Sequence, residues 1–208
     1  MFKEIPVTKE KINKRKLVHG VGINDSPYRV SRMIRGKTET CGYFKVWAGM
    51  LGRCYSRSIQ SKNPTYIGCT VEPSWLRFTN FKAWMENQVW RRNQLDKDIL
   101  NPGNKHYGPN TCIFVDPSIN KLLNTNEKQR GKYPQGVTAV RNKGPITYKA
   151  TISKFNKYCQ LGIFKTVEQA EQAYLKHKRS YIKQVIKIVD DPRLKQGLQQ
   201  HLKRYSSN

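Results

Sequence analysis

Residues 134–174, PQGVTAVRNKGPITYKATISKFNKYCQLGIFKTVEQAEQAY, leave the chain few ways to fold. Gly136-Val137 opens a short β-prone run, residues 146–152 alternate as ITYKATI, and Leu161-Gly162-Ile163-Phe164 makes a third run. A period of two puts Tyr148, Ala150 and Ile152 on one face and Lys149, Thr151 and Ser153 on the other. Thr166-x-x-Gln169 forms a capping box, and Ala170, Ala173 and Tyr174 follow at helical spacing. The spacing therefore predicts a three-stranded antiparallel sheet packed on one helix. That helix continues through Tyr181, Ile182, Val185 and Ile186 and stops before Pro192, which lacks an amide hydrogen and disfavours helix ahead of it. Asp191 then caps a last helix with Leu194, Leu198 and Leu202 on one face, which either packs within the chain, the favoured reading, or mediates dimerisation.

What such a small sheet meets is indicated by charge. Lys and Arg number 39 against 14 Asp and Glu, a formal charge of +25 on 208 residues. A field of that size speeds encounter with polyanions and adds sequence-independent affinity through counterion release. Nucleic acid is the natural partner, duplex DNA first, with an RNA- or ribosome-binding role as the alternative. No apolar run reaches the ~18 residues that span a bilayer, and MFKEIPVTKE has no signal-peptide core, so no membrane partner is expected. Five cysteines without CxxC spacing fit a reducing, cytoplasmic compartment rather than a disulfide framework. No Ser-His-Asp set, P-loop or GxGxxG fingerprint is present, and nothing points to a small-molecule ligand.

The first 38 residues are polar and basic and read as an extended arm plus a loop, available to track phosphates. From Tyr43 the periodicity turns helical through Trp47, Met50, Leu51 and Cys54. Residues 66–71 read as a short strand after Pro64, and Trp75, Phe78, Phe81, Trp84 and Met85 mark an aromatic-rich helix whose rings belong to a core rather than to base stacking. Residues 95–123 hold turns at Pro102-Gly103 and Gly108-Pro109, a strand at 112–115, and a helix from Pro117 with Ile119, Leu122 and Leu123. Cys54, Cys69 and Cys112 lie on apolar faces, where a free thiol packs as a small hydrophobe more readily than as a zinc ligand. The class is α+β, organised as a basic arm (1–38), a module (39–124), a linker (125–134), a sheet-and-helix domain (135–189) and a C-terminal helix (190–208).

The Gly-Val strand, the Tyr148-x-Ala150-x-Ile152 strand, Leu161-Gly162-x-Phe164 and the Thr166-x-x-x-Ala170 helix together resemble the plant ethylene-response-factor domain of APETALA type. The resemblance covers about a fifth of the chain and implies a sheet whose outward residues enter the major groove. By motif position these are Gln135, Thr138 and Val140 on the first strand, Thr151 and Ser153 on the second, and Tyr158 and Gln160 on the third. Lys149 shares their face by alternation. Arg141, Lys143, Lys154 and Lys157 are placed to hold phosphates. Several outward positions are arginine or tryptophan in the plant proteins, so their target sequence does not carry over.

Residues 41–124 resemble the small homing-type HNH endonucleases of phages, through YFKVWAGMLGRCY, YIGCTVEPSWLRFTNF and LDKDILNPGNKHYGPNTCIFV. That resemblance implies a ββα-metal module using Mg²⁺ or Mn²⁺, in which His activates water while Asp and Asn hold the cation. Carried over, Asp96 takes the metal carboxylate position, Lys97 the place of the general-base His, and Thr111 the second metal position. Asp98 and Asn120 are substitute ligands, and His106 is a displaced base. A lysine at its reference pKa of ~10.4 is protonated at neutral pH and takes no proton. The other reading makes Asp96 and Asp98 loop carboxylates paired with a cation, and His106 a turn residue. Two outcomes therefore stand open, an active metal-dependent endonuclease or a phage-type DNA binder and regulator descended from one.

Overall fold

The computed structural model describes residues 2–123, 131–141, 144–155 and 157–205. Its elements are α1 (Lys9–Asn13), β1 (Ser31–Ile34), β2 (Lys37–Thr40), α2 (Gly42–Tyr55), α3 (Arg57–Lys62), β3 (Thr70–Val71), α4 (Phe78–Glu86), β4 (Gln94–Asp96), β5 (His106–Tyr107), β6 (Ile113–Val115), α5 (Pro117–Leu123), β7 (Val137–Val140), β8 (Thr147–Lys154), β9 (Lys157–Phe164), α6 (Val167–Ile188) and α7 (Pro192–Arg204). The class is α+β, as expected. The chain divides into two compact units, residues 1–91 with 103–114 and residues 92–102 with 115–208. This differs from the boundaries read from sequence, because segment 92–102 belongs with the C-terminal half.

Unit one is built on aromatic contact. Trp47, Phe78 and Phe81 are fully buried, and Trp75 nearly so. Ring centroids lie 5.5 Å apart for Trp47–Phe78, 5.0 Å for Trp75–Phe81 and 4.5 Å for Trp75–Trp84. Trp47 Nε1 donates to the Trp75 carbonyl at 2.7 Å, so the one polar atom of that buried ring is satisfied. These aromatics form a core, as their helical spacing implies. The expected 66–71 strand shrinks to β3, preceded by a 3₁₀ turn over Pro64–Tyr66.

The N-terminal segment is not an extended arm. Arg15 donates to the carbonyls of Asn24, Ser26 and Tyr28 at 2.7–3.0 Å. Asp25 accepts from the Thr79 amide at 2.9 Å and the Thr79 hydroxyl at 2.7 Å, which caps the start of α4. Ile23 exchanges backbone bonds with Leu76 and Phe78. Polar side chains and carbonyls do this work, so no apolar periodicity announced it. Beyond Tyr28, β1 and β2 pair antiparallel from Ser31↔Thr40 to Ile34↔Lys37. The two turn residues, Arg35 and Gly36, both have positive φ (48° and 74°), as a tight two-residue hairpin requires.

In unit two, β7, β8 and β9 form an antiparallel sheet in that order, and α6 covers one face. Val137, Ala150 and Ala170 are its buried centre, joined by Tyr148, Leu161, Phe164 and Ala173. Thr166 caps α6 by accepting from the Gln169 amide at 3.2 Å, and Asp191 caps α7 by accepting from the Arg193 and Leu194 amides. A bulge lies opposite the Ala150–Thr151 step, where Leu161 is the extra residue and Gly162 takes φ 151°. Both caps and the strand register follow the sequence pattern. The final helix packs within the unit: α7 buries Leu194 and Leu198 and contacts α6, and Gly197 lets its backbone approach the Ile99 carbonyl.

Gly136 is the tightest point under the sheet. Its φ is +78°, and a Cβ there would meet the Tyr174 ring and the Thr151 carbonyl oxygen. Strain at positive φ and overpacking each cost ~1–3 kcal/mol. Gly136→Ala should therefore lower the unfolding free energy of full-length protein by about 2–4 kcal/mol in urea titration. A change within ~0.5 kcal/mol, the ordinary surface range, would contradict this packing.

Candidate nucleic-acid interface

Because α6 occupies one side of the sheet, the other side presents the alternate residues of each strand. Register places Thr138 opposite Lys149, Lys149 opposite Ile163, Thr151 opposite Gln160, and Ser153 opposite Tyr158. Thr138, Tyr158, Gln160 and Ile163 are exposed, while Lys149, Thr151 and Ser153 on the central strand are half-buried. Val140 and Thr147 pair at the same parity. Lys149, Thr151 and Ser153, set on one face by alternation, thus share a surface with Thr138, Val140, Tyr158 and Gln160, which motif position assigned. Ile163 and Thr147 join it unforeseen: the bulge at Leu161 restores Ile163 to the outer face, and a bulge leaves no mark in simple alternation.

Cations flank the sheet at its ends, at the strand parity of the covered face, while Lys149 lies on the open face itself. Lys154 and Lys157 pair at the β8–β9 turn, and Arg141 is exposed just past β7. Lys143 lies outside the described residues. At the Thr151–Ser153 end, a cleft of about 170 Å³ is lined by Ser118, Lys121, Gln135, Thr151, Ser153 and Tyr174 among others. Lys121, on α5, adds a positive charge to this end that sequence reading did not assign.

Gln135 is placed differently from expectation. It precedes β7, and its side-chain oxygen accepts from Lys178 Nζ at 3.1 Å. Lys178 is 1% exposed and its ammonium lies 4.6 Å from the Tyr205 ring centroid. A buried ammonium needs an acceptor, and Gln135 supplies one, so this amide supports α6 instead of offering its oxygen outward.

The residues aligned with nuclease roles divide between the two units. Asp96, Lys97, Asp98 and Asn120 belong to unit two, His106 and Thr111 to unit one. Asp96 is a turn former: one carboxylate oxygen accepts from the Asp98 and Ile99 amides at 2.7 and 2.8 Å. Burial pushes its pKa up, and those amide bonds and Lys97 pull against the rise. Lys97 is 4% exposed and donates to Asp98 at 2.6 Å. Asn120 donates to the Gln94 side chain at 2.9 Å.

In unit one, the parallel β3–β5 bridge sets Thr70 opposite His106. Nδ1 of His106 is 3.0 Å from the Thr70 hydroxyl, and Nε2 is 3.5 Å from a Glu72 carboxylate oxygen. Thr111 closes the 106–111 loop, donating to the His106 carbonyl at 2.8 Å and accepting from the Gly108 amide at 3.0 Å. Each of these side chains is thus tied into its own local turn or bridge. Among the described residues, no group of three or more His, Cys, Asp or Glu is arranged to hold a metal ion. Cys41, Cys54, Cys69 and Cys112 are buried, and Cys159 is half-buried. No described helix is long and apolar enough to cross a membrane.

With this geometry in view, comparison adds no relative: no protein-family model matches the chain, and neither does any curated protein or solved structure.

One residue that sequence reading passed over stiffens the Asp96 turn. His201 on α7 is 8% exposed, and its Nε2 has no hydrogen-bond partner among the described residues. Burial lowers its pKa from the usual 6.5, and Arg204 pushes the same way. The backbone of Asp98 and Ile99 and the Asp98 carboxylate resist without prevailing. With the folded value below the unfolded one, the unfolded state binds more protons, so stability falls as pH drops through 6.5 toward the folded value. Denaturant midpoints at pH 7.5 and 5 should separate less in His201→Gln than in the parent protein. Equal separations would show that His201 does not titrate across folding.

Proposed function

We propose that this chain binds duplex DNA by laying the open face of its β7–β8–β9 sheet against a groove and reading bases there. The observation that carries the reading is a sheet covered by α6 on one side, with a polar opposite side that carries Lys149 and ends at the Lys154–Lys157 turn. The charge of +25 supports a polyanionic partner. The resemblance of residues 134–174 to the ethylene-response-factor domain points to the major groove. Gln160 offers an amide that can pair bidentately with adenine, Thr138 and Thr151 offer methyl groups to thymine, and Lys149 reaches base edges or phosphate. Lys154, Lys157 and Arg141 set position on the backbone. Ser153 and Tyr158 complete the polar surface.

Binding without strand cleavage is the form of this function favoured here, with the chain a regulator of phage type descended from a homing nuclease. The support is chemical. Asp96 accepts two backbone amides, Lys97 and Asp98 neutralise each other, and Thr111 is spent on closing a turn. Incubation of supercoiled plasmid with Mn²⁺ or Mg²⁺ should leave it intact. Nicking that vanishes in Asp96→Ala would overturn the binder-only form and make the chain a metal-dependent endonuclease.

The sheet itself is tested by two substitutions on duplexes selected from a random pool. Lys154→Ala should weaken binding to every duplex alike and reduce the slope of log K against log salt by ~0.9. Gln160→Ala should cost about 1–3 kcal/mol at one base pair and little elsewhere. Equal losses on every sequence would remove the base-reading role of Gln160. Tighter binding to structured RNA than to duplex DNA at matched salt would refute the choice of partner.

A further inference from the structure

The β1–β2 hairpin of unit one holds residues that its own unit does not use. At its root Arg32 pairs with Glu39 at 2.5 Å and lies 5.3 Å from the Phe2 ring centroid, which fastens the ribbon to the unit. Past that point every residue from 33 to 38 is exposed, Met33 by 69% and Ile34 by 40%. Two large apolar side chains therefore stand in water beside Arg35 and Lys37. The hairpin carries one carboxylate, Glu39, already neutralised by Arg32. Its type of turn, with Arg35 and Gly36 both at positive φ, makes the tip narrow and stiff.

We infer that this hairpin is a second DNA contact, a two-stranded ribbon whose tip enters the major groove with Arg35 and Lys37 on the phosphates and Met33, on the face opposite Ile34 and Lys37, against base edges. Dimensions agree. Paired strands lie ~4.8 Å apart, and the major groove, ~12 Å wide, admits such a ribbon with its side chains, whereas the minor groove, ~6 Å wide, does not without distortion. Charge complementarity selects the occupant: a cationic tip with an apolar blade suits phosphate walls and a floor that carries thymine methyl groups. The alternation of the ribbon assigns the sides, since Met33 shares a face with Thr38, and Ile34 shares the opposite face with Lys37.

This inference rests on duplex DNA as the partner, and the test separates it from the reading of the sheet. Full-length protein is titrated onto a mixed-sequence duplex of about three helical turns, across a range of salt. Guanine N7 protection from dimethyl sulfate is recorded alongside. The double variant Arg35→Ala/Lys37→Ala should lower the salt slope by roughly 2, about 0.9 per phosphate contact, and add to the effect of Lys154→Ala. It should lose part of the N7 protection and keep the rest. Met33→Ser should weaken binding severalfold with the slope unchanged, and Arg35→Lys should restore the slope of Arg35→Ala. These residues are exposed, so far-UV circular dichroism should not change. If the hairpin variants bind like the parent while Lys154→Ala weakens binding, the hairpin inference fails and the sheet stands. If only the hairpin variants weaken binding, the sheet reading fails and the hairpin stands. Loss of adenine N3 protection instead of guanine N7 would refute major-groove entry. An effect confined to self-association in sedimentation would make the ribbon a protein interface and overturn the inference.

Discussion

The close approach of α6 to β7 and β8 is the constraint on which the C-terminal unit depends. Ala150 and Ala170 are fully buried, and Gly136 lies under the Tyr174 ring with no room for a methyl group. Small residues at these points let a long basic helix, with seven charged residues among its 22, five of them Lys or Arg, sit flat on three short strands. A sheet this small stays folded only if one face is well covered. Once α6 supplies that cover, the opposite face is released from any role in the core and can carry Thr, Ser, Gln and Lys. The polar surface is thus a consequence of where the small residues lie on the other side.

The middle of the chain illustrates how a run of charged residues can be absorbed into a turn. Asp96, Lys97 and Asp98 remain consecutive, yet the carboxylate of Asp96 binds two amides of its own turn and Lys97 is buried against Asp98. A buried lysine needs a counter-charge or it destabilises the fold, and Asp98 supplies one. The turn is then held by α7, through the glycine contact at Ile99 and the imidazole of His201. These charged residues are thus part of the foundation for the last helix.

What could be seen in the sequence was whatever repeats or caps. The β8 alternation, the Thr166 and Asp191 caps and the helical spacing of Phe78, Phe81 and Met85 each depend on residues close in the chain, and the structure bears them out, whereas Trp75 falls in a separate 3₁₀ turn, Pro73–Leu76, set off by the extended Arg77. What escaped notice depends on distance. Arg15 serves carbonyls nine to thirteen residues away and Asp25 caps a helix at Thr79, so the N-terminal segment looked like a loose arm. The hairpin of residues 31–40 lacks the alternating apolar pattern because neither of its faces is a core face. Gln135 falls two positions before its strand and is claimed by Lys178, a partner 43 residues on. On the sheet, alternation placed Lys149, Thr151 and Ser153 on one face, and Ile163 joins that face only because of the bulge at Leu161.

These features bear on how such a chain would recognise a site. With 39 basic residues against 14 acidic ones, attraction to any duplex is large at low salt and carries no sequence information. Discrimination must come from contacts whose strength does not depend on counterion release, and the proposed reading face is mostly neutral: Thr138, Thr151, Ser153, Tyr158 and Gln160. Salt therefore acts on the two parts unequally. Raising it strips away the contribution of Lys154, Lys157 and Arg141 and leaves the amide and hydroxyl contacts nearly intact. The ratio of specific to non-specific binding is then governed by how many phosphates each mode engages. If the preferred site bends or seats the sheet so that fewer lysines reach phosphate than on random sequence, specificity rises with salt. If the same lysines engage in both modes, the ratio stays flat while both affinities fall. The geometry favours the second behaviour, because the lysines border a rigid sheet whose strands are pinned to α6, and a rigid border meets every B-form backbone in the same way.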